Sequence, residues 1–112
     1  MNTYNVIIVG GGAGGLFAAY EFAKKNPEIK VCLLEKGAPL GTRKCPIDGV
    51  KIKNCINCKH CSITTGIGGA GAFSDGKYNI TNDFGGTLYE YIGKKQAMDL
   101  MHYVDEINMR FG

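Results

Sequence analysis

Cys45, Cys55, Cys58 and Cys61 place four thiols within seventeen residues. In Cys55-Ile-Asn-Cys58-Lys-His-Cys61 three of them recur at two-residue spacing, tight enough to converge on one centre, and Cys45 can supply a fourth ligand. Closely spaced cysteines with a Cys-Pro echo the thiolate run that holds a [4Fe–4S] cluster, although Cys45-Pro46 here precedes the triplet instead of following it. Structural zinc is the competing reading, through four cysteines or through three with His60; two separated C-x-x-C pairs, the usual zinc-ribbon spacing, are missing. A redox-active disulfide is the third, because the neighbouring lysines favour thiolate over thiol. The fifth cysteine, Cys32, falls inside an apolar run and reads as a small hydrophobe.

A second set of residues points to phosphate. The apolar run Val6-Ile-Ile-Val9 meets Gly10-x-Gly12-x-x-Gly15, and an alanine-rich helical pattern follows at once. Strand, glycine turn and helix in that order suit a dinucleotide pyrophosphate. Gly10 permits the tight turn, Gly12 lets the backbone approach phosphate, and Gly15 lets the helix lie close on the strand. The helix then aims its first N–H groups and its positive dipole end at the anion. A second apolar run, Lys30 to Leu34, ends in Glu35, twenty residues beyond Gly15, where a carboxylate can accept hydrogen bonds from an adenosine ribose. Further along, Gly68-Gly69-Ala70-Gly71 offers small residues and backbone N–H groups to a flat ring or a phosphate.

These residues need elements to hold them. The pattern predicts a strand over 4–9, a helix over 14–25 with Leu16, Ala19, Tyr20 and Ala23 on one face, and a parallel second strand over 30–35. Both strands are apolar at successive positions, as in a sheet covered on both faces. Val50-Lys-Ile-Lys53 alternates and predicts a short exposed strand, and Lys77–Thr81 predicts another. Thr87-Leu-Tyr-Glu90 fits a capping box. The final helix is expected over 94–110, with Leu100, Tyr103, Val104, Ile107 and Phe111 as a packing stripe. The expected division is 1–43 for the βαβ unit, 44–64 for a cysteine-rich insert, 65–82 for a glycine-rich loop and 83–112 for a helical segment.

Composition narrows the class. Of 112 residues, 17 are glycine, clustered at 10–15 and 66–76, which marks two special loops in an otherwise ordinary globular chain. The net charge of +3 is too small to argue by itself for nucleic acid, which is not the expected partner. Lys36, Arg43, Lys44, Lys51, Lys53 and Lys59 do face a single acid, Asp48, between positions 36 and 61. A solvated basic loop explains this, and a surface for phosphates or an acidic partner is the sharper alternative. Without a signal peptide or an apolar span, the expected address is the cytoplasm, away from any membrane, where cysteines are reduced, metal-bound or redox-active. Neither His60 nor His102 sits in a pattern that assigns it catalysis.

The run Glu35-Lys-Gly37-Ala-Pro-Leu-Gly41-Thr-Arg43 resembles the acidic, glycine-spaced, arginine-ended sequence that follows strand two in two-dinucleotide-binding flavoproteins. Gly66-Ile-Gly-Gly-Ala-Gly-Ala-Phe-Ser-Asp-Gly-Lys-Tyr-Asn79 is similar to a signature of bacterial FAD-dependent dehydrogenases, the NAD(P)/FAD-dependent oxidoreductases, whose chains also carry a Cys-Pro and a C-x-x-C-x-x-C run before this loop. The resemblance implies an α/β, Rossmann-like FAD-binding unit. It implies that Gly10, Gly12, Gly15, Glu35 and Arg43 contact FAD, with Ala13, Gly14 and Lys36 beside them. It also implies that Gly68, Gly69, Ala70 and Gly71 approach the flavin or its pyrophosphate. Hydride would arrive from NAD(P)H or an organic substrate, and electrons would leave to a small carrier, singly where a cluster sits on the four cysteines. The family's chains are several times longer, so an incomplete domain, inactive by itself, is expected. A Rossmann protein binding NAD(P) directly and a cysteine-rich metal-binding recognition module are the alternatives.

Overall fold

The structure, a computed structural model, describes residues 3–83 and 85–112. Strand β1 (Val6–Val9), helix α1 (Ala13–Lys25) and strand β2 (Val31–Leu34) form a βαβ unit. The strands pair in parallel, with Val6 opposite Val31 and Val9 opposite Leu34. Backbone and side chain fix that register together. Lys30 O accepts from Asn5 N at 2.8 Å, and Lys30 N donates to Asn5 Oδ1 at 2.9 Å. At the other end Gly10 N donates to Leu34 O at 2.7 Å, so the ladder runs into the glycine turn.

Helix α1 begins where the glycines allow it and ends where Asn26 stops it. Asn26 N still donates to Phe22 O, at 2.9 Å, but the Asn26 backbone has left the helical region, and Pro27 follows. The helix lies very close to β1: a Cβ on Gly15 would collide with Gly10 O and stand 3.3 Å from Ile8 Cγ2. Val6 and Ile8 are half-buried, while Ile7 and Val9 are 63% and 84% exposed. In β1 the expectation of a strand covered on both faces is therefore corrected, since only alternate residues are shielded. In β2 the successive residues Val31, Cys32 and Leu33 are all half-buried, and only Leu34 is exposed.

Beyond β2 the chain makes a 3₁₀ turn (Leu40–Thr42), a long irregular loop and a second 3₁₀ turn (Gly69–Phe73). Val50–Lys53 is not a strand. Asp48 Oδ1 accepts the N–H groups of Val50, Lys51 and Ile52 at 2.9, 2.7 and 2.9 Å, and this local capture bends the segment into a turn. The same bonds hold the Asp48 carboxyl below its usual range, the Ile52 N–H contributing most.

One compact unit ends at Ser74 and a second begins at Asp75. The first unit holds the βαβ unit, the cysteine segment and the start of the second glycine loop. In the second unit Lys77–Thr81 is irregular, not a strand, and two helices follow, α2 (Leu88–Ile92) and α3 (Lys94–Phe111). Thr87 stands at the start of α2, but its side chain makes no capping bond; only its carbonyl accepts, from Glu90 N at 2.9 Å. On α3 the expected stripe is uneven. Tyr103, Val104 and Ile107 are half-buried, Leu100 and Phe111 are exposed, and the one buried hydrophobic residue is Ala97. Among the described residues no helix is long and apolar enough to cross a membrane.

Candidate functional site

Three glycines of the first turn do three different things. Gly10 has φ of 104°, a left-handed conformation that a side chain would strain. Gly15 is required by packing, through the collision with Gly10 O. Gly12 is required by neither. Its φ of −76° and ψ of −173° suit any residue, and beyond its own chain neighbours no atom lies within 4 Å of where its Cβ would stand. The space beside Gly12 is open, directly at the N-terminus of α1. No side chain caps that terminus and its first turn carries no acid, so N–H donors are available to an external anion. Ala13 and Gly14 are exposed at the same end, and nothing lies within 4 Å of a Cβ on Gly14. The turn fits a dinucleotide phosphate.

Glu35 stands beside the turn and braces it. Its Oε2 accepts Gly11 N–H at 2.7 Å, and its Oε1 accepts Gly37 N–H at 2.8 Å. These two bonds, the Gly11 one first, hold the carboxyl below its ordinary range against the opposing effect of burial; the Gly66 N–H and the charge of Lys36 add to them. A carboxylate offers about four acceptor positions, so capacity remains for a ribose hydroxyl. The carboxylate therefore has a structural task that spacing alone does not reveal. Lys36 is exposed next to it.

Arg43, expected as a cofactor contact, is used differently. It is 5% exposed, and its guanidinium is enclosed by backbone carbonyls. Nε donates to Ser62 O at 2.9 Å and Nη1 to Ile67 O at 2.6 Å; Nη2 donates to Ile63 O and Gly69 O, both at 2.8 Å. Its Cζ also lies 4.7 Å from the centre of the Phe73 ring. With four donors facing the protein, no bidentate pair remains for phosphate. The guanidinium thus has a structural task within the chain, beside the cofactor contact expected of it.

The second glycine loop is docked on the first. Gly68 N donates to Gly11 O at 2.8 Å, Ile67 N to Ala38 O at 3.1 Å, and a Cβ on Gly69 would come within 3.3 Å of Gly12 Cα. The loop thus lies beside the dinucleotide turn, and two of its N–H groups are engaged within the chain. Gly68 N is taken by Gly11 O, and Gly69 N donates to Gly66 O at 2.9 Å. Ala70 and Gly71 are exposed.

Cys45, Cys55, Cys58 and Cys61 are exposed free thiols that line one open cavity of about 360 Å³. Two sulfurs have N–H partners. Asn57 N donates to Cys55 Sγ at 3.5 Å, from a residue with φ of 52°. The backbone N–H groups of Ile63 and Thr64, with the Thr64 side chain, hold the Cys61 thiol below its usual range, and the Arg43 charge adds to this against burial. Among the described residues, however, no three Cys, His, Asp or Glu side chains converge on a point that could hold a metal ion. Among the described residues there is thus no preformed single-ion site of the kind the zinc reading, with or without His60, calls for.

The profile of the Thi4 family, a family of flavin-dependent enzymes, matches residues 1–45. That stretch contains β1, the glycine turn, α1, β2, Glu35 and Arg43, and excludes the cysteine triplet and the second glycine loop. No solved structure matches the chain. At the coarse level common to fold and match, residues 1–45 form a Rossmann-type βαβ unit that is similar, over that stretch, to the Thi4 family of flavin-dependent enzymes.

Proposed function

We propose that this chain supplies the dinucleotide-binding part of a flavin-dependent oxidoreductase, with FAD as its ligand. The observation that carries the reading is Gly12: neither its backbone angles nor its protein neighbours call for glycine, and the unfilled space faces the uncapped start of α1. The pyrophosphate would lie there, Glu35 would accept the adenosine ribose hydroxyls, and Lys36 would add positive charge at the rim. Residues 68–71 would border the flavin side of the cradle. Bound FAD supplies a hydride-accepting ring, and the chain's task is to orient it and to screen it from water. NAD(P)H or an organic molecule would be the hydride donor, as in the NAD(P)/FAD-dependent oxidoreductases that residues 66–79 resemble.

The finer reading assigns the four cysteines a [4Fe–4S] cluster that takes electrons singly. Its support is the shared cavity and the N–H donors already aimed at the Cys55 and Cys61 sulfurs, the kind of hydrogen bond that tunes clusters. A cluster is a body several atoms wide, so its ligands surround a cavity instead of meeting at a point. The test is anaerobic purification followed by the absorption spectrum, chromatography of the released cofactor, and iron, sulfide and zinc analysis. A flavin spectrum with FAD released on denaturation supports the main reading, and NAD(P) in its place overturns it. Iron with matching sulfide supports the finer one; zinc, or four titratable thiols without metal, removes it.

A further inference from the structure

Arg43 joins stretches of chain that secondary structure leaves unconnected. It follows the Leu40–Thr42 turn, and its donors reach Ser62 and Ile63, next to Cys61, and Ile67 and Gly69, inside the second glycine loop. The loop around it is shaped for that purpose. Gly66 has φ of 125°, and a Cβ there would lie 2.6 Å from Ala38 O and 2.7 Å from Arg43 Cδ. A Cβ on Gly37 would collide with Gly66 N. The Phe73 ring covers the guanidinium from the end of the loop. Only a planar, multi-donor cation can satisfy four carbonyls arrayed in this way; a lysine ammonium has three donors and no plane.

We propose that Arg43 is a positioning residue for the cofactor cradle: by clasping the carbonyls of residues 62–69 it seats the second glycine loop on Gly11 and Gly12, so that FAD affinity depends on a side chain that touches no FAD. The inference rests on the FAD reading for its binding consequence, whereas the clasp itself can be measured without any ligand.

The experiment compares the full chain with Arg43→Ala and Arg43→Lys, by hydrogen exchange without FAD and by FAD titration. In both variants the amides of Ile67, Gly68 and Gly69 should exchange at least tenfold faster, while those of α1 keep their protection. FAD affinity should fall at least tenfold in both. Ethylguanidinium should restore it to Arg43→Ala in proportion to its concentration, and ethylammonium should not. Unchanged exchange at residues 67–69 overturns the clasp, as does loss of α1 protection in both variants, which would make Arg43 a general folding residue. Faster exchange with unaltered FAD affinity overturns the positioning role. If the parent chain ignores FAD, the function proposed above fails, and the exchange data still decide the clasp.

Discussion

Gly12 and Gly15 sit three residues apart in one motif, and the structure gives them opposite energetics. Replacing Gly12 by Ala introduces a methyl into open space on a backbone with φ of −76° and ψ of −173°. Reduced freedom of the unfolded chain favours the alanine by roughly 0.4–1 kcal/mol. Glycine's better standing at a helix N-cap opposes it by about 0.5–1 kcal/mol. The two nearly cancel, so the empty protein should melt within about 4 °C of the parent. Gly15→Ala gains about 1 kcal/mol of helix propensity. Its methyl, however, collides with Gly10 O, a backbone atom in a turn already tied to Leu34. Overpacking of that kind costs roughly 1–3 kcal/mol, and more where backbone must move. A fall in melting temperature on the order of 10 °C is expected. Binding should separate the pair the other way round. At Gly12 the methyl occupies phosphate space, and FAD affinity should drop about tenfold to a hundredfold, or ~1.4–2.7 kcal/mol. Thermal melts monitored by circular dichroism, with FAD titrations followed by flavin fluorescence, read both quantities. A Gly12→Ala protein that binds FAD like the parent, or melts as low as Gly15→Ala, would refute the reasoning.

Other consequences follow from single contacts. Glu35 has a lowered carboxyl pKa in the folded chain, so its contribution is present above the unfolded carboxylate value and disappears as pH falls through the folded one. Melting temperature of the parent should therefore decline on acidification below the ordinary carboxylate range, about 4.3, more steeply than that of Glu35→Gln; parallel curves would contradict the bracing role. Asp48→Ala should leave α1 and β1 untouched while the amides of Val50, Lys51 and Ile52 lose exchange protection, and unchanged protection there would contradict the turn. Gly37→Ala should speed exchange at Ile67 and Gly68, because its methyl displaces Gly66; an unaltered loop would show that the contact is slack.

The legible part of this chain was the part governed by local rules. The boundaries of β1, α1 and β2 fall within two residues of those the apolar runs, the glycine turn and Asn26-Pro27 predict, because each signal acts within a few residues. Helix α3 was equally legible from its period. Val50–Lys53 failed because alternation competes with a nearby aspartate that can satisfy three amides, and Asp48 won. Arg43 was visible as a site residue, but its clasp on the second glycine loop was not. Spacing from Glu35 brings it to the cofactor side, whereas its burial depends on carbonyls 19–26 residues away. A lone arginine before a loop whose glycines turn successive carbonyls inward is the signal that could have found it. The four cysteines line one cavity, but spacing says nothing about how closely the sulfurs converge.

The central claim is that a dinucleotide lies on the turn between β1 and α1, and hydrogen exchange of the parent chain with and without FAD tests it most directly. The account predicts that FAD slows exchange at residues 12–16, with a smaller effect at 68–71 and none over α3. No FAD-dependent protection at residues 12–16, or protection confined to another part of the chain, would contradict it.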